Sequence, residues 1–138
     1  MNLSQIKSRY TGIQTKLKEI HESGCLLLAL CTIIEEVTGK EADLIGIIQE
    51  SRAKGWLEAD YTVKDSLAIL NAFTGKRFKR RIVKKLPDII GDNEFTIEKW
   101  KNDRTGFTHF KRRFVDTLIS SVTVKEGYIC EYYIYKFL

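Results

Sequence analysis

Three side chains suited to acyl transfer through sulfur are spread along this 138-residue chain: Cys25, His109 and Asp116. Cys25 ends a small polar turn, Glu22-Ser23-Gly24, and opens the apolar run Leu26-Leu27-Leu28-Ala29-Leu30-Cys31. Ser23 suits an N-cap, which puts Cys25 in the first turn of a helix, where unpaired backbone N–H groups and the positive end of the dipole favour a thiolate. A thiol so placed is expected to be acidified below its free pKa of about 8.5. Of the two histidines, His109 follows the turn Asn102-Asp103-Arg104-Thr105-Gly106 at the mouth of an expected strand, with Asp116 at that strand's end. A sulfur nucleophile needs a base to take its proton and a third polar group to orient the base, roles open to Cys25, His109 and Asp116 in that order. The plainer alternatives stay open: Cys25, like Cys31, reads equally as a small core residue, and His109 as a structural histidine at a strand end.

The elements that must position these groups change type halfway along the chain. Residues 26–37 are apolar on nearly every side and are closed by Gly39, which predicts a central buried helix. Before it, Leu3, Ile6, Tyr10, Ile13, Leu17 and Ile20 fall at helical intervals on an amphipathic segment. After it come a helix over 41–54 ending at Gly55, a loop over Trp56 to Tyr61, and a third helix over 63–73 capped by Thr62 and stopped by Gly75. From Arg77 the period becomes that of a strand, with Phe78, Ile82 and Val83 among basic residues, until Pro87 and Gly91 break it. Phe95 to Trp100 reads equally as strand or short helix. Strands are expected over 107–116, 119–125 and 128–137, the last two joined by Lys125-Glu126-Gly127 as a hairpin. The final strand is apolar or aromatic on both faces and so belongs inside the sheet. Helices first and antiparallel strands after make an α+β fold, with residues 1–138 as a single domain.

Composition narrows the function classes. A hydrophobic fraction of 43% with a single proline fits a packed globular domain, not a disordered linker. Three cysteines cannot all pair, and Cys25, Cys31 and Cys130 lack metal-ligand spacing, so a reducing cytoplasm with free thiols is expected and neither metal nor cofactor is implied. Met1 to Tyr10 has no apolar signal-peptide core, and Leu26 to Cys31 is too short to span a bilayer. The net charge of +5 is unevenly placed: Lys76 to Lys85 holds seven basic side chains, and Lys111-Arg112-Arg113 three more. Such clusters are usually a solvated face and in some proteins a nucleic-acid footprint, but no helix-turn-helix or RNA-recognition signature accompanies them.

Taken together, Ser23-Gly24-Cys25-Leu26-Leu27-Leu28-Ala29-Leu30, Gly106-Phe107-Thr108-His109-Phe110 and Asp116 resemble the papain-like fold in its compact bacterial form, the double-glycine (bacteriocin-processing) peptidases and their phage and plasmid relatives. The passage from Asp116 to Gly127 is similar to the D-P-x-x-x-S-x-T-V-x-x-G stretch of phage-type members, and the whole chain resembles a family encoded on Borrelia-type spirochaete plasmids and prophages. The resemblance implies a central helix opened by the nucleophile Cys25 and packed on a C-terminal antiparallel sheet, with His109 as base and Asp116 as its orienting partner. It implies a peptide or protein substrate. The family's oxyanion-donating glutamine falls at Glu19, six residues before Cys25, where an ionised carboxylate accepts rather than donates; Gln14 is the nearest glutamine. Two readings follow, a cysteine peptidase-like hydrolase and an inactive binding module that uses the cleft or the ribbon Lys76 to Lys85 for a protein or nucleic-acid partner.

Overall fold

The computed structural model describes residues 24–113 and 126–138, as helices followed by an antiparallel sheet. The helices are α1 (Cys25–Thr38), α2 (Leu44–Ala53) and α3 (Ser66–Thr74); the strands are β1 (Phe78–Val83), β2 (Glu94–Lys101), β3 (Thr108–Arg112) and β4 (Tyr128–Phe137), in the order β1-β4-β2-β3. The α+β arrangement expected from the sequence is the one found. The helix expected over 3–20 and the strand expected over 119–125 lie outside the described residues.

Every residue of α1 from Leu27 to Glu35 is buried, so no side of this helix is spared for water over that stretch. It packs against α3 and β3, and each of its leucines and isoleucines contributes on the order of 1.5–3 kcal/mol by leaving water. Gly39 ends it at φ 72°, a left-handed conformation that costs glycine little, with its N–H on the Glu35 carbonyl. The N-cap is Gly24 rather than Ser23, and no side chain caps this end.

Two helix starts fall later than expected. In α2, Glu41 to Asp43 stay out of the helix because the Ala42 N–H donates to the buried Glu35 carboxylate (2.9 Å) and Asp43 caps the Gly46 N–H. In α3, the cap is Asp65, not Thr62. Residues 62–65 are held to the preceding loop instead: Leu57 bridges Val63, and the Lys64 N–H donates to the Trp56 carbonyl (2.8 Å).

The ambiguous segment around Phe95 is a strand, β2, lying between β4 and β3. β4 is interior, as its two apolar faces predict: from Tyr132 to Lys136 both of its edges are taken, by β1 and β2. Register puts Phe78, Phe95, Ile97, Phe110, Tyr133, Tyr135 and Phe137 on the face covered by the helices. There Phe78, Phe95 and Phe137 form an aromatic cluster with centroids 5.6–6.3 Å apart. The Tyr135 hydroxyl donates to Ser66 Oγ of α3 at 2.9 Å, so the sheet is tied to the helices by a polar contact as well as by apolar ones. Thr96 and Ile134, on the opposite face, are buried too.

Candidate active site

Cys25 is the first residue of α1, and its Sγ accepts a hydrogen bond from the Phe110 N–H at 3.5 Å. The placement follows from strand pairing. The Asn102 N–H donates to the Phe107 carbonyl and the Arg113 N–H to the Thr96 carbonyl. By antiparallel alternation His109 and Lys111 then exchange backbone hydrogen bonds with β2, while the Phe110 N–H points to the open side of β3. β3 is an edge strand, so the start of α1 lies along that open side with its sulfur against the strand.

His109 is therefore one peptide away from the group that touches the sulfur. Its Cα lies at most about 6 Å from Sγ by covalent geometry. Its side chain leaves the strand on the face of its cross-strand partner Trp100, opposite to Phe110. Lys111 shares that face, its ammonium 5.7 Å from the Trp100 ring centroid and 3.9 Å from Glu98 Oε1. The His109 side chain thus leaves β3 on the face away from the helices, and its path to the sulfur runs round the open edge of β3, not across the helix-packed face. His109 is 8% exposed, so its side chain is mostly cleared of water. The structure brings Cys25 and the strand of His109 together; Asp116, Glu19 and Gln14 lie outside the described residues.

The thiol differs from the sequence-based expectation of acidification. Burial pushes the Cys25 pKa up, and the opposing N–H contacts from Phe110, Leu26 and its own backbone do not cancel it. Desolvation of the charged form outweighs the helix N-terminus, and the resting sulfur holds its proton more tightly than a free thiol.

The basic run after His109 also differs from expectation, because it is not a solvated face. Arg112 is 6% exposed, paired through Nη2 with Glu36 of α1 and stacked 5.2 Å over Phe95. Burial lowers its pKa and Glu36 opposes that shift, which leaves a guanidinium charged at any ordinary pH. The pair clamps β3 to α1 from the helix-packed face, two residues beyond the contact with Cys25. Nothing in the local sequence signals it, since Glu36 and Arg112 are 76 positions apart.

A cavity of about 480 Å³ lies elsewhere, lined by Ile34, Thr38, Asp43, Gly46, Ile47 and Phe73 among others. Those residues sit at the C-terminal end of α1, roughly 20 Å along the helix axis from Cys25 at 1.5 Å per residue. No group of three or more His, Cys, Asp or Glu residues among the described residues could hold a metal ion, and none of their helices is long and apolar enough to cross a membrane. All three cysteines are free thiols.

A scan against protein-family models, a search of curated proteins and a search of solved structures found no match.

Proposed function

We propose that this domain is a papain-like thiol hydrolase, or a weakly active relative of one, acting on a peptide or protein acyl group. The observation that carries the reading is the seat of Cys25 at the first turn of the buried helix with its sulfur on the Phe110 N–H, next to His109. His109 takes the thiol proton as the sulfur attacks a carbonyl carbon, and returns it to the leaving amine; water then releases the acyl group from the thioester. Backbone N–H groups at the start of α1 are the donors on hand for the developing oxyanion. Asp116 orients His109 by the same resemblance that assigns the triad. A general base is required here because burial holds the proton on sulfur.

That same burial favours a second reading, a fold that binds its ligand and no longer turns it over. A peptidyl vinyl sulfone separates the two. Intact-mass and peptide mapping should find one adduct, on Cys25 and not on Cys31 or Cys130, with labelling at least tenfold slower in His109→Ala. Equal labelling of the wild type and His109→Ala leaves only the binding module.

A further inference from the structure

We propose that the open edge of β1 docks an acidic, extended protein segment, which adds to the sheet as a further strand beside Arg80 and Ile82. This is independent of the chemistry at Cys25, since β1 and β3 are opposite edges of the sheet.

The edge is open in a definable way. The Leu138 N–H donates to the Arg77 carbonyl, so with the observed register Lys79, Arg81 and Val83 bond to β4, and Phe78, Arg80 and Ile82 turn their backbone groups outward. The Phe78 N–H confirms the parity, being taken at 2.8 Å by Asn71 Oδ1 from α3. From Arg80 onward no described residue covers the edge: Lys79, Arg80, Arg81 and Ile82 are all exposed, Ile82 at 46%.

Charge selects the occupant. Among the described residues Arg77, Lys79, Lys84 and Lys85 have no carboxylate partner, and Lys79 lies opposite Lys136 across the ladder, a like-charge pair that costs stability. The one carboxylate on that stretch of ladder, Glu94, is engaged by Arg81 and by the Gly91 N–H. A second copy of β1 would set cation against cation, so the same charges that deter self-pairing admit an acidic strand. Main-chain hydrogen bonds to Arg80 and Ile82 would supply register, and carboxylates beside Lys79, Arg80 and Arg81 would supply selectivity. Nucleic acid fits less well. The cations project to both faces of the strand, and the neighbouring aromatic rings of Phe137 and Tyr133 already carry Lys76 and Arg80, each 5.5 Å from a centroid, so neither of these two rings is bare for a base to stack on.

The test is amide NMR on the full ¹⁵N-labelled chain, titrated with a blocked eight-residue peptide of alternating glutamate and valine. Comparators are the same peptide with N-methylated valines and an eight-nucleotide oligothymidylate. Expected are saturable shifts centred on the Arg80 and Ile82 amides and at least tenfold slower exchange at both. Affinity should drop at least tenfold with the N-methylated peptide or with the exposed charge reversal Lys79→Glu/Arg80→Glu, and stay unchanged in Cys25→Ala. Equal affinity for the N-methylated peptide, shifts centred away from β1, absence of binding at millimolar peptide, or tighter binding of the oligonucleotide would each overturn the proposal.

Discussion

At Cys25 two influences oppose each other, desolvation that keeps the proton on sulfur and N–H groups that would accept a negative sulfur. Because the folded-state pKa lies above the unfolded one, the protonated thiol is favoured by folding. Its contribution to stability is complete below the ordinary thiol pKa of about 8.5 and is lost as pH rises through the folded value. Urea unfolding between pH 7 and 10 should show this loss, and Cys25→Ala should flatten that part of the profile. The Arg112–Glu36 pair makes a second prediction. Glu36→Ala leaves a buried guanidinium unpaired and should cost about 2 kcal/mol, somewhat less than truncating a fully buried pair because Glu36 keeps a third of its side chain in water. Arg112→Met should cost less, since it removes the charge with the partner; equilibrium unfolding of both variants checks the order. The position of Cys25 was legible from the polar turn before an apolar run. The raised pKa was not, because helix-end electrostatics can be read from sequence whereas the burial of one sulfur against an edge strand depends on contacts far along the chain.

Among the elements, α1 depends on burial and α2 and α3 on their caps. Leu28→Ala, at a fully buried position, should cost 2–5 kcal/mol in roughly the range of core truncations. Asp65→Ala should cost about 1 kcal/mol by releasing the Ala68 N–H; a matching loss in Thr62→Ala would mean that the helix starts where the sequence alone suggested. The strands were readable in proportion to how far each answers to its own pattern. β4 alternates apolar residues on both faces and belongs between two neighbours on that ground alone. β2 was ambiguous because Phe95 and Ile97 belong to the helix-packed face while Thr96 is buried on the other, a mixture that a short helix also satisfies. The starts of α2 and α3 were misplaced because backbone groups nearby are spent on Glu35 and on the Trp56 carbonyl, partners that lie outside the local pattern.

On the scale of the molecule the sheet divides labour between its edges. One edge, β3, presents the N–H that touches Cys25, and three strands away, about 14 Å at ordinary strand spacing, the other presents the outward backbone groups of Arg80 and Ile82 among basic side chains. The helices cover one face, with α1 as the pillar that carries the sulfur to the β3 edge. Sequence showed the α+β order and the basic ribbon, but not that Lys111 and Arg112 of the second basic cluster are spent internally on Glu98 and Glu36 while most of the first has no carboxylate partner among the described residues. The central claim is that His109 serves the Cys25 thiol despite its burial. The most direct measurement is the rate of Cys25 alkylation by iodoacetamide between pH 5 and 10 in the wild type and in His109→Ala. An activated sulfur gives an inflection in the histidine range, near pH 6.5, that disappears in His109→Ala. A single inflection above pH 8.5, the same in both proteins, would show a buried thiol with no base and contradict the assignment.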